Sequence, residues 1–463
     1  MGKPAGKVRP AAPVVILPAG SAAFLSAMPA TRQLQRQFLP AARRGTGRAY
    51  LLAQAHPDVD FSAAIIDVAL RNYGYDRQSE GNRADYAFGL YQRAARPQQT
   101  RIRRAVLRAL ASAQVDDTWS VVQLLQLARL LAKHGHAPAT ARRAIYRRFE
   151  LEQQSGDTDW AGTEEIMALD GLPGLQYIAR AYGRQLAADP EQWYDNRLLE
   201  EFQALYPGQD GRAALEQLAP RSANVRRYLA AVEANRRLRA EAAAEPSTAP
   251  SLDELLRYKP RFIRGRLRRR GLTDAEARAL AERLPAARSH LEREKLLACF
   301  GVVPFPLNYR LLLPYAARNT GRHRPAAQLA LDALSLLAGP EIRALALQNL
   351  PTAHWPAYYS DLLIHNYQPG DAALLTRRVE GTRSEETIEQ LASSYCRIYQ
   401  ANATPECAAP LLALYERMNC GIHRKTVVQL LGQNNVLPAW LNAEIAFDSY
   451  ADTRALHQPA AAG

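Results

Sequence analysis

Residues 118–153 read TWSVVQLLQLARLLAKHGHAPATARRAIYRRFELEQ, and their spacing decides the fold class. Val121, Leu124, Leu125, Ala128 and Leu131 recur every three or four positions, the period that puts side chains on one face of a helix. Thr118 stands where a helix cap is expected and Gly135 where the helix should stop. A second periodic set, Ala141, Ile145, Tyr146 and Phe149, follows after a short turn, so residues 119–153 are expected to form an antiparallel helical hairpin. The stretch Asp170-Gly171-Leu172-Pro173-Gly174 then breaks the pattern before another helical run, Leu175 to Leu186; its glycines do not match a phosphate-binding fingerprint. The same period dominates from about residue 60 onward, and strand-like alternation over more than four residues is hard to find. The expected class is all-α.

At 463 residues the chain has room for two or three ordinary domains or one long repeat array. With 48% hydrophobic and 22% charged residues it has the composition of a globular protein, and four cysteines are too few for a disulfide-framework fold. A net charge of +14 directs attention to anionic partners. Much of that charge lies at the start: Lys3, Lys7, Arg9, Arg32, Arg36, Arg43, Arg44 and Arg48 all precede Asp58, the first acid. A basic start before an uncharged stretch is the pattern of a secretory signal, but Pro13, Pro18, Gly20 and Pro29 interrupt it. An acid-free, Arg- and Ala-rich start also fits an organellar transit peptide; the reading adopted is a basic, poorly ordered arm over 1–57. No segment approaches the roughly 18 consecutive apolar residues of a membrane span, so a cytoplasmic address without membrane contact is expected.

The arm is expected to lead into an N-terminal helical domain over 58–240. The segment Ala242 to Pro250 is small, polar and carries two prolines, which places a linker at 241–252 and a second helical domain at 253–458. Ser251 with Glu254, and Thr273 with Glu276, are two capping boxes, each of which should open a helix. Pro260 lies inside the first candidate and should shorten or kink it. Further helices are expected over Leu311 to Ala317, Ala326 to Leu337, Ile342 to Leu350, Thr387 to Tyr399, Ala408 to Met418 and His423 to Leu431.

Two of these openings look alike: Gly339-Pro340-Glu341-Ile342-Arg343 before Ala344, Ala346, Leu347 and Leu350, and Cys420-Gly421-Ile422-His423-Arg424 before Val427, Val428, Leu430 and Leu431. Each resembles the start of the inner helix of a HEAT repeat. Arg343, Arg383 and Arg424 are spaced by 40 and 41 residues, in keeping with the roughly 40–47-residue period of such units. The resemblance covers residues 300 to 460, and the N-terminal half only as generic helix pairs. It implies an elongated α-solenoid of antiparallel helix pairs in two halves meeting near residue 250, with a concave surface of the kind that binds proteins and sometimes nucleic acid.

Between Arg257 and Arg270 the chain carries Arg257, Lys259, Arg261, Arg264, Arg266, Arg268, Arg269 and Arg270 with no acid among them, interleaved with Tyr258 and Phe262. Arginine meets phosphate or carboxylate with two parallel hydrogen bonds, and aromatic faces can stack on bases. The cluster is therefore the expected site for an anionic partner, nucleic acid or acidic protein; a plain solvated helix face is the competing reading.

Signatures of chemistry are missing: there is no Walker loop, no His-Glu-x-x-His, no Gly-x-Ser-x-Gly and no paired Cys-x-x-Cys. Asp58-Val59-Asp60 begins like a calcium loop but lacks the glycine of the sixth position and reads as a helix start. Cys396, Cys407, Cys420 and His423 are the one possible metal constellation, because thiolates and imidazole suit zinc and Cys420 and His423 are three apart; a disulfide or, in preference, ordinary core thiols are the alternatives. No cofactor is expected. Glu164, Glu165 and Asp170 near Trp160 and Tyr177 offer a carboxylate set for hydrolysis of a glycosidic bond or excision of a damaged base, although Glu164 and Glu165 also fit the first turn of a helix after Thr163. The expected function is a non-enzymatic scaffold binding a protein partner through its concave face. Nucleic-acid binding through residues 257–270 is the alternative, and a base-excision-type hydrolase the third.

Overall fold

The computed structural model describes residues 30–112, 117–155, 160–244 and 250–459. Among them lie 27 α-helices and four short 3-10 turns, with no strand. The segment 118–153 forms the expected hairpin from helices Thr118–Lys133 and Pro138–Ser155. Its cap is Asp117, not Thr118: the Asp117 carboxylate accepts from Ser120 N at 3.1 Å, which satisfies an amide that the first helical turn leaves without a carbonyl. Val121, Leu124, Leu125, Ala128, Leu131, Ala141, Ile145 and Phe149 are all buried. Burial of each larger side chain contributes about 1.5–3 kcal/mol, which is why the periodicity was readable.

Helices pack chiefly against those near them in chain order. Their apolar faces gather into two clusters, one drawn from Phe38 to Val232 and one from Leu255 to Ile445. Of the expected linker 241–252, residues 241–244 complete the helix Ala223–Ala244, residues 245–249 lie outside the described residues, and Leu252 already begins the next helix. Both capping boxes form as expected, at Ser251 with Glu254 and at Thr273 with Glu276. Pro260 does not kink a helix. It occupies the first turn of Pro260–Arg270, where its missing N–H leaves no hydrogen bond unmade.

The later helices fall close to their expected places, at Arg324–Leu334, Pro340–Asn349, Glu385–Ala401, Ala408–Tyr415 and Gly421–Gln433. Leu311 to Ala317 is instead a 3-10 turn and the one-turn helix Leu313–Ala316. Two helices, Pro356–Asp361 and Asp371–Gly381, fill the stretch between Leu350 and Thr387. Arg343 and Arg424 play matching parts: the first reaches forward to Asp371 at 2.5 Å, the second to Asp448 at 2.8 Å in a fully buried pair. Arg383 is exposed and does not share that role.

Two further expectations are corrected. The arm over 1–57 is not poorly ordered in its second half, where Ala30–Arg44 and Arg48–Ala55 are packed helices. Leu34, Phe38, Ala41 and Ala42 repeat at three and four, and Phe38 is buried against Phe61 with ring centroids 4.2 Å apart. High charge masked that apolar stripe. The readings that rested on Lys3, Lys7, Arg9 and the uncharged stretch after them lie outside the described residues.

The second correction concerns the ends. In an open, elongated array the first and last described helices would be far apart, yet here residues 45–83 and 419–449 meet. Ser449 N donates to Gly45 O at 2.7 Å, Arg83 Nη2 to Asn419 O at 2.6 Å, and Gly421 N to Glu80 Oε2 at 2.9 Å. Arg48 pairs with Glu444 at 2.7 Å, and Tyr50 stacks on Phe447 at 5.4 Å. A Cβ on Gly47 would lie 1.7 Å from Glu444 O, so the approach of the two backbones requires glycine. No described helix is long and apolar enough to cross a membrane.

Candidate anion-binding helix and metal-ligand cluster

Helix Pro260–Arg270 anchors itself through Ile263 and Leu267, buried and one turn apart, and ends at Gly271, whose φ of 79° favours a residue without Cβ. Anchoring by those two positions turns the arginines to either side. Arg264 folds inward: it donates to Asp332, and its guanidinium lies so close to Gly301 that a Cβ there would be 2.6 Å away. Arg270 binds Glu276 through two hydrogen bonds, at 3.0 and 2.5 Å, and Pro250 O at 2.8 Å. Both serve the fold.

The other six face outward. Arg257, Lys259, Arg261, Arg268 and Arg269 are exposed, Arg266 is half-buried, and none forms an ion pair with a described residue. Arg266 lies 3.7 Å from the centre of the Tyr258 ring, and Arg261 lies 4.6 Å from that of Phe262. Both rings are exposed, at 38% and 43%. The sequence left the cluster on an irregular or helical piece; Arg257 ends the helix Leu252–Arg257, Lys259 precedes Pro260–Arg270, and the two structural arginines are set apart only by Asp332 and Glu276, partners found in space and across a turn.

A second basic pocket went unread. Arg293, Tyr315, Arg318 and His323 line a cleft of about 290 Å³. The His290 and His323 rings lie tilted with centroids 5.1 Å apart, and the His290 Nδ1 and Arg293 Nε atoms are buried without a hydrogen-bond partner among the described residues. Desolvation, followed by the charges of Arg322, His290, Arg318 and Arg293, pushes the His323 pKa down. Positive potential at such a pocket favours an anion. The run Arg318 to Arg324, with three arginines and a histidine, was its signal in the sequence.

The acidic set does not converge. Asp170 is held by Arg142 at 2.9 Å and by the Tyr146 hydroxyl, Tyr177 donates to Glu150 at 2.7 Å, and Glu164 faces Arg129 at 3.9 Å. Glu164 and Glu165 do occupy the first turn of helix Thr163–Asp170. Glu165 is buried, and desolvation followed by the Glu164 charge raises its pKa to about 7. The nearby cleft of about 180 Å³, lined by Trp160, Trp193, Asp195 and Glu201 among others, does not include Glu165 in its wall.

All four cysteines are free and buried. Of the metal constellation, the structure brings together Cys420 and His423 and adds Glu389, one ligand atom of each lying within 4.8 Å of the others. Cys396 and Cys407 are not part of that group. Glu389 comes from helix Glu385–Ala401, 31 residues before Cys420, too far for any spacing rule to single out. Its Oε1 accepts from Asn419 N at 2.5 Å and Cys420 N at 3.0 Å, the two residues that lead into helix Gly421–Gln433. Burial lowers the His423 pKa, but Cys420 and Glu389 outweigh it and raise the imidazole to about 9.

Fold and surface together define an all-helical protein of many packed helices with an exposed basic helix. No protein-family model, no curated protein and no solved structure matches the chain.

Proposed function

We propose that the chain is a non-enzymatic interaction scaffold, a HEAT-like array of helix pairs that docks an acidic protein partner. One observation supports this most: six basic side chains between Arg257 and Arg269, four of them on the well-anchored helix Pro260–Arg270, form no ion pair with a described residue. Their mutual repulsion is unfavourable in the free protein and is relieved by a partner bearing carboxylates, which arginine holds bidentately. A second reading, nucleic-acid binding, is favoured by the exposed Tyr258 and Phe262 rings among these cations, which offer stacking faces.

Salt and substitution distinguish the two. Fluorescence anisotropy with labelled single- and double-stranded nucleic acid and with a labelled polyglutamate peptide, at about 50 and about 200 mM salt, is the measurement. Docking of an acidic protein predicts binding of the peptide and none of either nucleic acid. Affinity for nucleic acid that falls by orders of magnitude across that salt range turns the assignment to the second reading. In either case, replacing Arg257, Arg268 and Arg269 with Gln should weaken binding and leave the melting curve nearly unchanged, since none forms an ion pair with a described residue. Binding to neither probe at about 50 mM salt removes the docking surface from both readings.

A further inference from the structure

We propose that Glu389, Cys420 and His423 form a three-ligand site for a divalent transition metal, with zinc the ion its donors suit best. One carboxylate, one thiolate and one imidazole are the donor types of protein zinc sites, and once binding has released the ligands' protons to solvent, two negative ligands and a neutral imidazole cancel the charge of the dication in a buried setting. Glu389 and Cys420 are each only 2% exposed. Glu389 Oε1 is fixed by two backbone amides, which aims Oε2 at His423. There it stops 3.5 Å from Nδ1, too far for a good hydrogen bond, and both atoms are buried without a hydrogen-bond partner.

That separation is close to what a metal needs. Zinc bonds of about 2.0–2.3 Å in tetrahedral array set ligand atoms about 3.3–3.8 Å apart. The Oε2–Nδ1 edge already has this length, and all three ligand atoms lie within 4.8 Å of one another. Cys420 is the N-cap of helix Gly421–Gln433, so its position is set by the start of that helix. His423 is partly exposed, so the ion has a route from solvent, and three protein ligands leave a fourth position for water or another donor.

The site lies beside the junction of the chain's ends. Asn419 and Gly421, either side of Cys420, bond to Arg83 and Glu80 of the N-terminal helices. A metal here would clamp helix Glu385–Ala401 to helix Gly421–Gln433 and stiffen the segment that receives them.

The full chain, stripped with a chelator and kept reduced, is titrated with cobalt(II). The expected result is a near-ultraviolet thiolate-to-cobalt charge-transfer band that saturates at one equivalent and disappears on adding zinc, together with a rise in melting temperature with zinc. Cys420→Ser should abolish the band and the rise, Cys299→Ser should keep both, and His423→Gln, at a less buried position, should lose stoichiometric binding. No band in the unsubstituted chain overturns the proposal without recourse to any variant, leaving the cluster as a pair of backbone hydrogen bonds with an ion pair. A band that survives Cys420→Ser overturns it equally.

Discussion

Arg264 reaches Asp332 and packs on Gly301, whereas Arg268, one turn further along the same helix, is exposed and pairs with no described carboxylate. Only the first is within reach of Asp332 on helix Arg324–Leu334, so the surroundings decide which arginine is structural. Glu165 shows the same dependence on surroundings. Its carboxyl is ordinary in sequence, yet burial and then Glu164 raise its pKa from 4.5 to about 7. The folded state therefore binds more protons than the unfolded chain between those values. The stability it contributes is complete below about pH 4.5 and is lost as pH rises through 7, at most about 3 kcal/mol in all. Glu165→Gln cannot ionise and should be the more stable protein near pH 8 while differing little near pH 4.5. Urea midpoints at the two pH values measure this, and an equal difference at both would show that the side chain titrates normally.

The loop between Pro260–Arg270 and Asp274–Arg283 is held by a small network. Thr273 accepts from Glu276 N at 3.2 Å, and the Glu276 carboxylate returns the bond to Thr273 N at 3.0 Å while also receiving Arg270. Arg270 first, and then the Thr273 amide, hold the Glu276 pKa down to about 2. Replacing Thr273 with Ala removes one arm of the box and should cost about 1 kcal/mol in thermal or urea unfolding. Because the cap orients Glu276 toward Arg270, a fully independent, additive effect of Thr273→Ala and Arg270→Gln in a double-mutant cycle would contradict this coupling.

At the scale of the molecule, the decisive feature is the meeting of the ends. The turn Gly45-Thr46-Gly47 admits Glu444 to Ser449 against the N-terminal helices, with Gly45 at φ of 75° and Gly47 in backbone contact with Glu444. Gly47→Ala places a methyl where Glu444 O now sits. Backbone must shift, so a loss of about 1–3 kcal/mol is expected, with faster amide exchange over residues 444–449 and 45–50. Unchanged exchange in both stretches would mean that the ends are not joined in solution.

The sequence by itself determined the helices. Apolar residues at three and four, as in Val121 to Leu131, and boxes such as Ser251 with Glu254 act within a few positions of one another, so their energetics can be read along the chain. It also located the basic cluster, because the density of charge is a local property. What it did not contain in readable form were contacts between distant segments: Asp332 for Arg264, Glu389 for Cys420 and His423, and Gly45 for Ser449, 404 positions on. Each pairs single residues with no periodicity and no fixed spacing. Only packing decides which face of a helix meets which neighbour, and therefore which arginines stay free, which ligands converge and whether the chain closes on itself.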